Sequence, residues 1–194
     1  MGLPEIQLVT AEEYLRAERE ALNKHEYYRG QIFAMSGASL PHNIIFKNTF
    51  LNLGIKLKGK KCQPFGSDLR IHIPENSLYT YPDISIICGK PETTDDTKDT
   101  ITNPSVIIEI LSKSTRDYDK GQKFTLYRDI TTLKEYILID SETVSVETLT
   151  RNDDRSWTFR EYRLLGDTFD IETIGESFSV SELYFEVFDV TQTQ

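Results

Sequence analysis

The sequence predicts an α/β fold in which helices flank a mixed central β-sheet. Helix-like and strand-like segments alternate along the chain, one central segment is apolar almost throughout, and no linker-like stretch interrupts the order. The chain has 194 residues, of which 38% are hydrophobic, so it can bury one sizeable core but is short for two ordinary domains. We therefore expect residues 1–194 to form a single domain.

The N-terminal half alternates between helical and extended patterns. Thr10 and Glu13 have the spacing of a capping box, which marks the start of a helix. Leu69, Ile71 and Ile73 alternate with polar residues, which is typical of a half-exposed strand. The expected elements are, in order, a helix over 11–22, two short strands within 26–35, a helix that follows the breaker at 37–41 and ends near Gly59, and strands over 69–73 and 84–88.

The C-terminal half centres on one apolar run. Residues 106–111 have the sequence Val-Ile-Ile-Glu-Ile-Leu, which is typical of a strand buried on both faces. The expected elements around it are a polar loop over 91–103, a helix over 117–129, a strand over 135–140, and a hairpin of 143–149 with 157–164. We interpret this hairpin as an acidic C-terminal β-hairpin extension of the mixed sheet.

The charge is unevenly distributed along the chain. The formal net charge is −9, and an evenly acidic protein would bind nucleic acid poorly, because phosphate contacts need Lys and Arg. Residues 139–194 hold 13 acidic and 4 basic side chains, whereas residues 1–138 hold 18 of each. Between Pro41 and His72 the local charge is +5. The lysines of this stretch fit equally a basic helix C-terminus and a patch that faces phosphate.

Several protein classes are excluded by composition. No apolar run approaches the roughly 20 residues that a membrane-spanning helix needs, and the first residues do not resemble a secretory signal. We therefore expect no membrane partner and a cytoplasmic location. Cys62 and Cys88 are too few for a disulfide framework or a structural zinc site, so we expect both to be small core side chains.

Glu109 is the residue that most needs an explanation. It lies in the middle of the most apolar run of the chain, where a carboxylate loses its hydration at a cost of several kcal/mol. A partner, a metal ion or a proton must offset that cost. The alternatives to a functional role are a buried ion pair or a strand edge that opens to solvent.

A second carboxylate, Asp83, precedes a neighbouring apolar strand and follows Pro82. Proline lacks an amide donor and favours the start or edge of a strand, so Asp83 is expected where the sheet opens. Carboxylates on two adjacent strands are the beginning of a hard-cation site, since Mg²⁺ binds one or two carboxylates and fills its other positions with water and phosphate oxygens.

Three lysines follow Glu109 closely: Lys113, Lys120 and Lys123. On a helix, Lys123 lies at the edge of the apolar face that contains Phe124 and Tyr127, so its head can reach back toward Glu109. Lys120 is placed to contact phosphate instead. An ordinary solvated surface position is the alternative for each of the three.

These residues resemble a known nuclease pattern. Pro82-Asp83, followed 26 residues after Asp83 by Glu109-Ile110-Leu111-Ser112, resembles the PD-(D/E)XK nuclease signature. With Lys123-Phe124-Thr125-Leu126-Tyr127 and Glu135-Tyr136, the pattern is more closely similar to the Uma-two family of predicted endonucleases. Further matching segments are 10–14, 26–32, Met35-Ser36 with His42, and 67–70. The resemblance implies a restriction-endonuclease-like fold, a metal-dependent phosphodiesterase site and a homodimer.

The resemblance also implies roles for individual residues. Asp83 and Glu109 correspond to the carboxylates that bind Mg²⁺, or Mn²⁺ as a substitute, in an endonuclease that cleaves DNA. The signature places its lysine two residues after the second acid, where this chain has Leu111. Lys123 on the following helix matches the family's lysine, and Lys113 is a nearby competitor.

Two other acidic residues lie in the matching segments. Glu26 matches an early glutamate that can face the metal site from outside the central strands, and we include it with Asp83, Glu109 and Lys123 as a candidate catalytic residue. Asp68 precedes a strand and is a structural candidate.

Six basic residues are the candidates for holding a nucleic-acid backbone: Lys56, Lys58, Lys60, Lys61, Arg70 and Lys120. Sequence specificity is not predicted, since no zinc finger or recognition helix is evident. The alternative function is a nuclease-like domain with a decayed site that serves as a nucleic-acid-binding or protein-interaction module. The displaced lysine and the negative net charge favour that alternative.

Overall fold

The computed structural model describes residues 8–188. Its α-helices are α1 (Ala11–Glu20), α2 (Leu40–Leu57), α3 (Arg116–Tyr118), α4 (Phe124–Tyr127) and α5 (Val180–Leu183). A π-helical turn, Asp119–Lys123, joins α3 to α4. The strands are β1 (His25–Tyr28), β2 (Gln31–Ala34), β3 (Cys62–Gly66), β4 (Arg70–Ile73), β5 (Leu78–Thr80), β6 (Ile84–Cys88), β7 (Thr100–Ile101), β8 (Val106–Leu111), β9 (Glu135–Asp140), β10 (Val146–Arg151), β11 (Trp157–Tyr162), β12 (Thr168–Ile171) and β13 (Glu176–Ser179).

A six-stranded mixed sheet forms the centre of the fold, in the order β11-β10-β9-β8-β6-β3. Strands β8 and β9 run parallel, and the other neighbouring pairs are antiparallel. The α/β class with a mixed central sheet is confirmed. The predicted C-terminal hairpin is also present, because β10 and β11 pair with each other and extend this sheet beyond β9.

Strand β8 is apolar because both faces of the sheet are covered. Val106, Ile108 and Ile110 pack into a core with α2, α5 and the β12–β13 hairpin. Ile107 and Leu111 pack on the other face, against β4 and the helical segment that ends in α4. Since side chains alternate along a strand, Glu109 projects to the same face as Ile107 and Leu111.

A second sheet, in the order β2-β1-β5-β4-β7, lies over that face. Its strands come from three separate places in the chain, so no single local sequence pattern predicts this sheet. The polar segment 91–103 contains β7, which pairs with β4 in parallel. The structure therefore places a short strand where we expect only a loop.

The two long helices begin as the sequence predicts. Thr10 and Glu13 form the capping box of α1, with the Glu13 amide 3.2 Å from the Thr10 hydroxyl. Ser39 caps α2, and Pro41 lies in its first turn. No helix within residues 8–188 is long and apolar enough to cross a membrane.

The two cysteines correct our expectation that they are separate core side chains. Cys62 of β3 and Cys88 of β6 are directly opposed in the antiparallel register and form a disulfide. The pattern did not predict β3, because Pro64 and Gly66 argue against a strand. The edge position of β3 tolerates both residues.

Candidate active site

The two carboxylates predicted to bind metal lie opposite each other at one end of the central sheet. Ile84 of β6 pairs with Ile108 of β8, so the antiparallel register places Asp83 opposite Glu109. Directly opposed side chains project to the same face of a sheet. Strand β6 begins one residue after Asp83, so the two carboxylates stand where the ladder between β6 and β8 ends.

Reciprocal hydrogen bonds fix both carboxylates. The amide of Ile110 donates to Oδ2 of Asp83 at 2.7 Å, and the amide of Asp83 donates to Oε2 of Glu109 at 3.2 Å. The two side chains accept from amides that would otherwise need backbone acceptors. The protein backbone therefore orients the carboxylate pair without help from a ligand.

The helical segment after β8 brings a cation to this pair. Lys123, the last residue of the π-helical turn, places its Nζ 2.9 Å from Oε1 of Glu109. Its side chain is buried. Tyr127, one helical turn further on, donates its hydroxyl to the same Oε1 at 2.8 Å. Short π-helical turns occur frequently at functional sites, where they redirect side chains.

Two more carboxylates surround the ammonium of Lys123. Oε1 of Glu26 is 3.4 Å from Nζ and Oδ1 of Asp119 is 3.5 Å from it. Glu26 also accepts hydrogen bonds from the hydroxyls of Thr80 and Tyr118. We define the site cluster as Asp83, Glu109, Lys123, Glu26 and Asp119. Its four carboxylates outnumber its ammonium, so the cluster as a whole favours a further cation.

Burial and neighbouring charges shift the pKa values of Glu109 and Lys123. Burial raises the pKa of Glu109, the ammonium of Lys123 lowers it, and the charges of Asp119 and Asp83 raise it, leaving it above its ordinary value. Burial lowers the pKa of Lys123, but the surrounding carboxylates outweigh burial and raise it well above its ordinary value. Lys123 therefore remains an ammonium at neutral pH and is not a proton acceptor.

His42 joins the site from α2, although our sequence-based site set does not include it. Its Nε2 lies 3.2 Å from Oδ2 of Asp83, and its side chain is 12% exposed. Burial lowers the pKa of His42, but the hydrogen bond to Asp83 and the charges of Asp83, Glu109 and Asp119 raise it above its usual value. His42 is therefore a second cation beside the carboxylate pair when it is protonated.

The site cluster opens into a cavity of about 520 Å³. Every member of the cluster and His42 line this cavity, together with loop residues 34–38. The volume lies within the range of about 300–1,000 Å³ that is common for ligand sites. The carboxylates are therefore accessible to a ligand, even though most of their surface is buried.

The free oxygens of the cluster fit a divalent cation. Oδ1 of Asp83 accepts no hydrogen bond from residues 8–188, and Oε2 of Glu109 accepts only the long one from the Asp83 amide. In that same part of the chain, no group of three or more His, Cys, Asp or Glu side chains is arranged to hold a metal ion, so a cation here would depend on two carboxylates and on oxygens from outside the protein. Two carboxylates with room for water and substrate oxygens are what Mg²⁺ prefers.

The structure separates the two candidate lysines. Lys113 is exposed and forms no ion pair with any residue that the structure describes, whereas Lys123 contacts Glu109 directly. Asp68 also lies outside the cluster, because its side chain is 97% exposed and pairs with Lys24 at 2.7 Å.

The prediction that Arg70 contacts nucleic acid is wrong, because its side chain is 3% exposed and bonded inside the fold. Its Nη2 is 3.0 Å from Asp99, its Nη1 donates to the Tyr81 hydroxyl at 2.8 Å, and its Nε donates to Thr100 at 2.9 Å. Arg19 of α1 reaches the same Asp99 at 2.7 Å. We define the arginine cluster as Arg70, Arg19, Asp99, Asp95, Tyr81 and Thr100.

The structure does not bring the predicted lysines to the site cluster. We define the lysine patch as Lys56, Lys58, Lys60 and Lys61, at the C-terminal end of α2. His42 lies in the first turn of that 18-residue helix, so about 24 Å of helix axis separates it from Lys58. Glu176 forms ion pairs with Lys56 and Lys60. A role of this patch beside the carboxylates is therefore not supported by its position.

Lys120 also has a local partner. Its ammonium lies 2.5 Å from Glu147 of β10, which balances its charge. Contact between Lys120 and phosphate stays a prediction.

The fold and the site cluster together define a nuclease-like protein. Residues 11–183 match the model of the Uma2 family, described as "Putative restriction endonuclease". The chain belongs to this family.

Two relatives come from Synechocystis sp. (strain ATCC 27184 / PCC 6803 / Kazusa). "Uncharacterized protein sll1609" is 39% identical over 86% of this chain and 93% of its own length. "Uncharacterized protein slr1290" is 38% identical over 91% of this chain and 91% of its own length.

A solved structure has the same fold. The crystal structure of "a putative nuclease belonging to DUF820 from Anabaena variabilis ATCC 29413" matches with a TM-score of 0.77 and 16% identity. The match covers 93% of this chain and 99% of the other.

Proposed function

We propose that the protein is a divalent-metal-dependent endonuclease that hydrolyses phosphodiester bonds in DNA. Membership in a family described as restriction endonucleases supports a nucleic-acid substrate. One observation carries the proposal: the carboxylates of Asp83 and Glu109 both line a cavity, and the ammonium of Lys123 lies 2.9 Å from Glu109. Two acids and a lysine in this relation are the residues that hydrolysis of a phosphodiester needs.

Asp83 and Glu109 would hold Mg²⁺, or Mn²⁺ as a substitute. When bound, such a cation polarises a phosphodiester oxygen and lowers the pKa of a water molecule. Asp83 is held for this task by the Ile110 amide and Glu109 by the Tyr127 hydroxyl.

Lys123 acts through its charge in this proposal. Because its pKa is raised, it keeps its proton and stabilises negative charge, both on Glu109 and on the phosphate during the reaction. Glu26 and Asp119 hold the ammonium from the other sides. The departure from the signature at Leu111 is thus compensated by a lysine that reaches the second acid from the following helix.

A cleavage assay on supercoiled plasmid with Mg²⁺ or Mn²⁺ tests the proposal. We expect Asp83→Asn and Glu109→Gln each to lower the cleavage rate by at least about 10³-fold, since each removes a charge that would bind the cation. Lys123→Met is expected to lower it strongly as well. Thermal unfolding should show that the variants remain folded.

Two substitutions outside the site cluster serve as matched controls. Asp68→Asn removes an exposed carboxylate and Lys113→Met removes an exposed lysine, so both should leave the cleavage rate unchanged. Wild-type cleavage by both carboxylate variants would refute the endonuclease proposal. Loss of cleavage in Lys113→Met but not in Lys123→Met would reverse the assignment of the lysine.

The homodimer and the cytoplasmic location that we expect from the sequence stay predictions. Both are compatible with the proposed activity, which requires only the residues of one chain at the site.

A further inference from the structure

A second cavity, of about 780 Å³, shares no lining residue with the cavity of the site cluster. Five basic side chains line it, with only Asp129 and Asp153 opposing them. We define the basic pocket by its cations, which are Arg29, Arg128, Lys134, Arg151 and Arg155. The basic pocket thus has an excess of positive charge, whereas the site cluster has an excess of negative charge.

The charges of the basic pocket are not neutralised inside the protein. Within residues 8–188, none of its five cations forms an ion pair with a carboxylate. Asp129 accepts a hydrogen bond from Asn76 at 2.9 Å instead. Burial lowers the pKa of Arg151, and the charges of Arg155 and Arg128 lower it further. Cations that repel one another without a partner attract an anion from solution.

Arg151 gives the pocket a defined shape. Its guanidinium donates hydrogen bonds to the carbonyls of Arg128 and Ile130, which holds the loop after α4. It also lies over the ring of Trp157, 4.8 Å from the centroid. Arg151 therefore positions the pocket wall, while Arg29, Arg128, Lys134 and Arg155 present exposed charges.

The basic pocket and the site cluster are connected by three elements. Along β1, Arg29 follows Glu26 by three residues, or about 10 Å. Along the helical segment, Arg128 follows Lys123 by five residues, or about 7.5 Å.

The third connection runs along β9. Leu138 pairs with Glu109, and Lys134 precedes Leu138 by four residues, or about 13 Å. Three paths along the chain thus place the pocket about two to four nucleotide steps of 3.4 Å from residues of the site cluster or from the strand partner of Glu109.

We propose that the basic pocket binds backbone phosphates of the polynucleotide a few nucleotides away from the scissile bond. This inference rests on the proposed function for its position relative to the site, but the binding itself needs no cleavage. The site cluster carries excess negative charge and repels a polyanion, so the affinity has to come from cations nearby. The basic pocket supplies them, whereas the lysine patch lies at the far end of α2.

Binding of a fluorescently labelled DNA duplex, measured with EDTA present, tests the inference on the full chain. The double variant R128Q/R155Q removes two exposed cations of the pocket, and K58Q/K61Q removes two exposed lysines of the patch as a matched control. We expect R128Q/R155Q to weaken binding about tenfold at low salt and to reduce the slope of log K against log salt by about two. K58Q/K61Q should bind like the wild type.

Trp157 provides a direct signal, because it is the single tryptophan of the chain and lies in the pocket. Duplex addition should change its fluorescence in the wild type and in K58Q/K61Q, whereas R128Q/R155Q should need about tenfold more duplex for the same change. Unchanged binding by R128Q/R155Q, or a loss confined to K58Q/K61Q, would overturn the inference. Saturation of the Trp157 signal by inorganic phosphate alone, with no tighter binding of duplex, would also overturn it in favour of a small-anion site.

The two proposals fail separately. Duplex binding through the pocket by a protein that never cleaves DNA would refute the endonuclease and leave the pocket inference intact. Cleavage that is normal in R128Q/R155Q, with normal duplex affinity, would refute the pocket and leave the endonuclease intact.

Discussion

Two clusters of charged side chains in the fold differ in their charge balance and in whether their charged groups line a cavity. In the arginine cluster, Arg70 and Arg19 share Asp99, and Arg19 also pairs with Asp95, so two cations meet two anions. Each of the three guanidinium nitrogens of Arg70 donates a hydrogen bond inside the fold. In the site cluster, four carboxylates share one ammonium and line a cavity.

This difference distinguishes charged groups that stabilise the fold, as in the arginine cluster, from charged groups that are available to a ligand, as in the site cluster. A balanced and fully bonded cluster stabilises the fold and has no remaining capacity to bind a ligand. A cluster with excess charge is destabilised by its own repulsion, and it persists where a ligand of opposite charge relieves that repulsion. The two clusters should therefore respond in opposite directions when one charge is removed.

The largest expected effect on stability comes from Arg70→Gln. Removing the buried guanidinium leaves Asp99, the Tyr81 hydroxyl and Thr100 without their shared donor. We expect the free energy of unfolding to fall by about 2–3 kcal/mol, toward the lower end for a broken buried pair because Asp99 is partly solvated. Urea unfolding with EDTA present measures this change.

Arg19→Gln is the matched control, since it removes an arginine from the same Asp99 at a position that is one-third exposed. Its cost should stay below about 1 kcal/mol, as for other ion pairs near the surface. Equal losses of unfolding free energy in Arg70→Gln and Arg19→Gln would show that burial does not determine how much each arginine stabilises the fold. The contrast between the arginine cluster and the site cluster would then be unfounded.

Removing the charge of Glu109 from the site cluster should raise the free energy of unfolding, whereas Arg70→Gln should lower it. Burial raises the pKa of Glu109 in the folded protein, so its ionisation disfavours the fold. The resulting stabilisation is complete below the unfolded-state pKa, about 4.3, and is lost as the pH rises through the folded-state pKa. Glu109→Gln stays neutral, so without metal it should gain about 1–2 kcal/mol over the wild type by pH 8 and almost nothing at pH 4.

Glu135→Gln provides the control for this second prediction. Glu135 is also buried, but its two oxygens accept from the amides of Glu172 and Thr173 at 3.0 and 2.8 Å. A glutamine would turn an NH₂ group toward one of those amides, so we expect a loss of about 1–2 kcal/mol. A stability gain in both glutamine variants would mean that burial alone, and not excess charge, explains the behaviour of Glu109.

The sequence predicted those parts of the site that depend on local pattern. Glu109 is indicated by the sequence because it is a charged residue within an apolar run. Lys123 is indicated because it lies at the edge of an apolar helix face. Asp119 has a weaker signal, its position four residues before Lys123 on a helix. His42 belongs to a segment that resembles the family, but no local pattern indicates its role, because its contact with Asp83 joins residues 41 positions apart.

The misassignment of Arg70 shows where local pattern fails. Strand β4 alternates as a half-exposed strand does, but α1 and the segment before β7 cover its polar face. The covering residues come from distant parts of the chain, so the pattern within β4 does not indicate that its polar face is buried. The disulfide was missed for the same reason, since the register between β3 and β6 brings Cys62 to Cys88.

The smallest predicted effect concerns His42, which links the site cluster to pH. Its pKa is raised in the fold, mainly through Asp83 acting against burial, so its protonated form stabilises the protein. That contribution is complete below about pH 6.5 and is lost as the pH rises through the folded-state pKa. His42→Gln should therefore cost less than about 1 kcal/mol at pH 6 and less still at pH 8.

Calorimetric titration with Mn²⁺ tests whether protonation of His42 and binding of a cation at Asp83 oppose each other. A cation on Asp83 opposes protonation of His42, so by reciprocity protonation must weaken metal binding by the same factor. We expect wild-type affinity to fall by about threefold to tenfold between pH 8 and pH 6, and that of His42→Gln to change less. An identical pH dependence in both proteins would place the cation away from Asp83 and would remove the excess-charge explanation of the site cluster.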